Sequence, residues 1–279
     1  MPFPFRLTAV DVDDTLLGPD KSVSPANRAA VAQLLANGCR VVLASGRRHE
    51  NMLQFYRDLG LDDYAVSCQG ARVEHVRTGE VLHSVTVAPA AARDVITAGL
   101  ALGFAVVVWL RRGIYSPVDS AWVAAYRTQT GGEPVIVERA AALAAEPAEK
   151  IVWVGEESAI GPEVAKAASR FGRSLALTEA QGWCLEFSDP SATKGAGLAA
   201  IAKRAGIPRE EVLAFGDGYN DVSMFRWAGL GVAMSHGREN ALRSAHRISP
   251  VGDPANAFSR AVDDVVRMGT AGVSRLGAT

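Results

Sequence analysis

Asp11-Val12-Asp13-Asp14-Thr15 follows directly on an apolar run, Phe5 to Val10, with the length and composition of a short buried strand. In extended chain, positions 11 and 13 face the same side, so two carboxylates emerge together beyond a strand's carboxyl end. Such a pair is costly unless a cation or a reaction uses it. The other reading is an acidic turn that caps the next helix, since Asp and Thr are ordinary turn residues.

Three more features fall at the same topological place, just past a strand or at a helix start. Ser45-Gly46-Arg47 follows the apolar run Arg40 to Ala44. Lys194 lies in the first turn of a helix predicted from Thr193 to Ala205. Gly216-Asp217-Gly218-Tyr219-Asn220-Asp221 follows the run Val212 to Phe215. In a parallel sheet these places gather at the carboxyl edge, where ligands bind. The chemistry they can share is phosphoryl transfer. Ser45, the amides around Gly46 and Lys194 supply donors and positive charge for a phosphate. Asp11, Asp13 and Asp217 would repel it without a cation, and an all-oxygen set with no His or Cys nearby favours Mg²⁺. Two acids beside the phosphorus can divide the work, one as nucleophile and the other as general acid and base. Each piece alone has a plain structural reading: a turn, a solvated lysine, an Asp-Gly turn. Their order and shared context carry the functional one.

The elements needed to position these groups alternate strand and helix. After the acidic loop a helix is expected from Ser24-Pro25 to about Leu35, then the strand Arg40 to Ala44, a helix from about Glu50 to Leu59, and a strand Tyr64 to Cys68. Such alternation implies right-handed βαβ units and a parallel sheet. Arg72 to Val76 and Val81 to Val87 read as a hairpin. The middle of the chain then mixes strand pairs with helices, an α+β pattern. The parallel pattern resumes near residue 190. One α/β domain, residues 1–84 and 190–279, is therefore expected to be interrupted by an inserted domain, residues 85–189.

The series D-V-D-D-T, A-S-G-R at Ala44 to Arg47, T-K-G at Thr193 to Gly195 and G-D-G-Y-N-D resembles the haloacid dehalogenase (HAD) superfamily, most of all its Cof-type phosphatases with an inserted α/β (type IIB) cap. The resemblance covers nearly the whole chain. It implies a Rossmann-like doubly wound parallel sheet with an inserted α+β cap, and an aspartyl-phosphate on Asp11. Asp13 is implied as acid/base, giving Mg²⁺ a backbone carbonyl. Ser45, Gly46, Lys194 and Asn220 are implied at the phosphoryl group, and Asp11, Asp13, Asp217 and Asp221 around Mg²⁺. The chain departs from the family pattern at Asp14 (commonly Gly), at Gln69-Gly70-Ala71 (usually N-G-A) and at Ser235-His236-Gly237 (usually G-N-A).

The rest of the sequence bounds the function. The 279 residues carry a formal net charge of -1, which gives no electrostatic case for nucleic acid or an anionic membrane. Cys39, Cys68 and Cys184 have no metal-type spacing and read as buried free thiols, which fits a reducing cytoplasm. Met1 to Arg6 does not resemble a signal peptide, and no apolar window is long enough to span a bilayer. The expected protein is a cytoplasmic, Mg²⁺-dependent phosphatase of small phosphorylated metabolites such as sugar phosphates, as a monomer or small homo-oligomer. Arg47 is a further candidate for substrate contact, and Trp109, Arg111, Arg112, Tyr115, Trp122 and Trp183 are cap candidates. Two alternatives stay open: phosphotransfer to a second sugar, as in mutase relatives, and a non-catalytic phosphometabolite-binding protein.

Overall fold

Apolar runs with no polar alternation must be covered on both faces, and the strands that carry the motifs obey this rule. The computed structural model describes residues 3–130, 133–180 and 182–271. In chain order the strands are β1 (Leu7–Asp11), β2 (Arg40–Ala44), β3 (Tyr64–Ser67), β4 (Arg72–His75), β5 (Val81–Ser84), β6 (Ala105–Leu110), β7 (Gly113–Ser116), β8 (Val135–Val137), β9 (Ala148–Val154), β10 (Ala176–Ala180), β11 (Cys184–Ser188), β12 (Val212–Gly216), β13 (Leu230–Ala233) and β14 (Arg247–Ile248). The chain divides into two units, Met1–Ser84 with Thr193–Thr279, and Val85–Ala192. The return falls at Thr193, the capping residue of a helix, against the 190 expected.

The first unit holds an eight-stranded sheet in the order β14-β13-β12-β1-β2-β3-β4-β5. Strands β14 through β3 run parallel, and the hairpin β4–β5 closes one edge antiparallel. Val10, Leu43, Phe215 and Val232 pack on one face against helices Pro25–Ala36 and Ala257–Ala271. Ala9, Val42, Ala214 and Ala233 pack on the other against helices Lys194–Ala205 and Val222–Trp227. This is the doubly wound α/β arrangement. The chain leaves β1 toward β2 and β3, then returns to the opposite side of β1 as β12. Strand order therefore reverses at β1/β12, the crevice where such sheets bind ligands.

The second unit is a six-stranded sheet, β10-β11-β9-β6-β7-β8, antiparallel except for β7–β8. Helices Pro89–Ala101 and Glu157–Phe171 cover one face through Val95, Ile96, Ile160 and Phe171, which meet Val106, Val108, Trp153 and Phe187 of the strands. Of the cap candidates, Trp109 is buried with the Lys150 ammonium 4.0 Å from its ring centre, and Arg112 pairs with Glu138 and Glu146 over the Tyr115 ring. Trp122 and Trp183 stack at 6.4 Å.

Local differences from the sequence reading have identifiable causes. Strand β5 ends at Ser84 rather than Val87, because Val87 instead exchanges backbone hydrogen bonds with Ala148 and Pro89 starts a helix. Strand β3 stops before Cys68, which with Gln69 takes a left-handed conformation, φ 50° and 62°. All three cysteines are buried and none forms a disulfide, and burial pushes the Cys39 thiol up to about 11 and the Cys184 thiol up to about 12. Among the described residues no helix is long and apolar enough to cross a membrane.

Candidate active site

The register of the parallel strands sets the site. Asp11, the last residue of β1, lies abreast of Ala44, so Ser45 begins the next loop beside it. On the other side β12 ends at Gly216, and Asp217 follows. Thr193 caps the helix Lys194–Ala205 by accepting from the Ala196 amide, which places Lys194 in its first turn. That helix start approaches the turn Cys68–Gly70 closely. A Cβ at Gly70, where φ is +102°, would lie 2.1 Å from the Thr193 carbonyl oxygen, so only glycine admits this approach.

Lys194 is fully buried and its Nζ bridges two acids, donating to Asp11 Oδ1 at 2.5 Å and Asp221 Oδ1 at 2.6 Å. Asp221 Oδ2 accepts from the amides of Asp217 and Gly218 at 2.9 and 2.8 Å. The Thr15 hydroxyl donates to Asp217 Oδ1 at 3.0 Å, so the far end of the acidic pentapeptide holds the acid of the third loop. Carboxylate oxygens of Asp11, Asp217 and Asp221 lie within 4.8 Å of one another. Burial, and then the nearby Asp221, push both the Asp11 and Asp217 carboxyls up, Asp11 well above the usual carboxylate range. Burial works against the Lys194 charge, yet Asp11 and Asp221 more than offset it and raise its pKa.

Three clustered acids, two of them paired with the Lys194 ammonium, thus form a largely buried, all-oxygen group. The donor set suits a hard divalent cation, and such a cation would relieve the repulsion that raises Asp11 and Asp217. The residues present therefore fit a metal of the Mg²⁺ kind.

Asp13 stands apart from that group. Asp13 and Asp14 depart from helical geometry inside the turn Val12–Leu16, with Asp14 at φ 58°, so β1 does not run on as a strand past Asp11. The Asp13 carboxylate is instead gripped by the Arg47 fork, Nε to Oδ2 at 2.8 Å and Nη2 to Oδ1 at 2.7 Å. Burial alone would raise Asp13, but this pairing outweighs it and holds the carboxyl below its usual range. Arg47, the candidate substrate contact, also lies 5.4 Å over the Phe55 ring. Ser45 is buried, with its Oγ accepting from the Arg47 amide at 3.2 Å. Gly46 adjoins it and faces the Gln69 amide. Asn220, a candidate phosphate ligand, donates to Gln69 Oε1 at 2.8 Å.

Thr15 and His236 were without an assigned role in the sequence. The His236 Nε2 lies 2.7 Å from the Asp14 carbonyl, tying the Ser235-His236-Gly237 loop to the acidic turn. The next residue but one, Arg238, donates its amide to the Asp217 carbonyl at 2.7 Å. Thr15 stands within the first motif, and His236 within one of the chain's departures from the family pattern.

The chain is similar to known proteins in both sequence and fold. A family profile described as haloacid dehalogenase-like hydrolase matches residues 8–261. Phosphatase YwpJ of Bacillus subtilis is 28% identical over 288 residues, covering 89% of this chain and 95% of the relative. HMP-PP phosphatase of Cronobacter sakazakii is 26% identical over 247 residues, covering 88% and 90% respectively. Among solved structures, a HAD subclass IIB sugar phosphatase superposes with a TM-score of 0.80 at 18% identity, over 94% of this chain and 100% of that one. The matched span takes in both the parallel sheet with its acidic loops and the inserted unit, and on that ground the chain belongs to the haloacid dehalogenase-like hydrolases, in their Cof-type branch.

Proposed function

We propose that the protein is a Mg²⁺-dependent phosphatase that hydrolyses small phosphorylated metabolites, sugar phosphates among them, through an aspartyl-phosphate. The observation that carries this reading is the cluster of Asp11, Asp217 and Asp221 at the strand-order reversal, with Asp11 and Asp221 paired to the Lys194 ammonium. Relatives named as phosphatases support the reaction class. Two buried acids beside a third would be a poor device for merely holding a phosphate, which argues against a binding-only role.

In this mechanism an Asp11 oxygen attacks phosphorus in line, and the bond from phosphorus to the leaving oxygen breaks. That oxygen takes a proton from Asp13. Asp13, now a carboxylate, draws a proton from water as the water oxygen attacks phosphorus. The bond to Asp11 then breaks, and inorganic phosphate leaves. Lys194 and the amides of the Ser45-Gly46 loop stabilise the negative charge on the transferring group. Bound Mg²⁺ would be held by Asp11, Asp217 and Asp221 with the Asp13 carbonyl, and supplies charge neutralisation of the phosphoryl oxygens. Arg47 has a defined task here. It holds Asp13 ionised in the structure, so donation by Asp13 requires the guanidinium to move onto the ester. Three buried cysteines outside any disulfide suit a reducing compartment, and we place the protein in the cytoplasm.

The test is phosphate release from a panel of sugar phosphates and p-nitrophenyl phosphate. Release with Mg²⁺ that EDTA abolishes is expected. Folded protein with Mg²⁺ that releases nothing, or that moves labelled phosphate onto a second sugar, would contradict hydrolysis.

A further inference from the structure

Gln69 belongs to neither chemical loop, yet its side chain touches both. Its Oε1 accepts from Asn220 Nδ2 at 2.8 Å, and Asn220 sits in the loop between Asp217 and Asp221. On the other side its amide lies against Gly46: a Cβ there would be 2.8 Å from Gln69 Nε2. The absence of a side chain at 46 is what makes room for the amide. The backbone at Gln69 is held at φ 62°, directly after Cys68 at φ 50°. Consecutive left-handed residues other than glycine are costly, and persist where the surroundings fix them for a purpose.

We propose that Gln69 is a positioning residue that anchors the cation-holding loop Asp217–Asp221 to the Ser45-Gly46 loop through Asn220. This rests on the cation reading given above. The length of the side chain matters. Asparagine would withdraw the amide by about 1.5 Å, one carbon–carbon bond. The contact to Asn220 would then leave hydrogen-bond range. Exchanging the ends of both amides together still opposes one donor to one acceptor, so the anchor survives that exchange. Without it, Asn220 loses its tie across the site, and Asp217 and Asp221 keep only the contacts within and beside their own loop.

The experiment measures Mg²⁺ binding by titration calorimetry on substrate-free full-length protein, with urea unfolding to confirm that each variant is folded. Gln69→Leu and Gln69→Asn are each expected to weaken Mg²⁺ binding about tenfold, the usual effect of losing an outer support of a metal ligand. Asn220→Ala should do the same, and Gln69→Leu/Asn220→Ala should be no worse than either alone, since both cut one link. At saturating Mg²⁺ the rate of Gln69→Asn should return to within a few-fold of wild type. A residue that merely supports the fold would shift the unfolding midpoint and leave Mg²⁺ affinity untouched, and that result overturns the proposal. So would additive losses in the double variant. Wild-type protein that binds no Mg²⁺ would instead overturn the cation reading, and this proposal with it.

Discussion

Asp11→Asn is expected to abolish turnover while leaving the fold at least as stable as wild type. The loss of rate follows from chemistry, because a neutral amide cannot form the acyl-phosphate; a fall on the order of 10⁴-fold or more is expected for a residue whose covalent role nothing else fills. The stability result follows from electrostatics. Burial and Asp221 raise the Asp11 pKa in the folded protein, so the folded chain holds that proton more tightly than the unfolded one. Ionised Asp11 therefore weighs against folding as pH rises past the usual carboxylate range, in the absence of a cation. Asparagine keeps the shape and removes that charge, and Lys194 still has Asp221 as its partner. Phosphate release and urea unfolding in EDTA at neutral pH check the two halves. Wild-type turnover would remove Asp11 from the mechanism, and a large fall in the unfolding midpoint would contradict the electrostatic account.

Lys194→Met has the opposite stability signature. The side chain is fully buried, and its Nζ is the contact that compensates both Asp11 and Asp221. Methionine fills much the same space as the lysine stem but leaves two buried acids without their cation. Breaking a buried pair from one side costs about 3–5 kcal/mol, most of it the penalty on the charges left behind. The metal-free variant should therefore unfold at distinctly lower urea, and Mg²⁺ should restore part of the difference, because a divalent cation meets the same carboxylates. Turnover should fall by roughly 10²–10³, as for the loss of one preorganised donor to the transferring group. Equal unfolding midpoints for variant and wild type in EDTA would show that the ammonium is not what holds these acids together.

Much of this was legible in the sequence, and the reason is topological. A parallel sheet forces every loop after a strand to one edge, so the motifs after β1, β2 and β12 were bound to meet once those strands were recognised by their apolar runs. The helix start at Lys194 was marked by its capping threonine. What stayed hidden depends on contacts that local patterns do not encode. The pairing of the Asp13 carboxylate with Arg47, which comes from the loop after β2, is one such contact. Thr15 reaches Asp217 and Asn220 reaches Gln69 across long stretches of chain, and neither partner is written in its own neighbourhood. The approach of Gly70 to Thr193 is of the same kind: the glycine is visible, the backbone it must admit is not.

The central claim is that a phosphoryl group passes through Asp11, and borohydride trapping during turnover tests it most directly. Reduction of an aspartyl-phosphate converts the aspartate to homoserine, which peptide mass mapping locates. The account predicts homoserine at position 11, formed only when ester and Mg²⁺ are both present and absent from Asp11→Asn. Homoserine at another aspartate, or active enzyme that yields none, would contradict it.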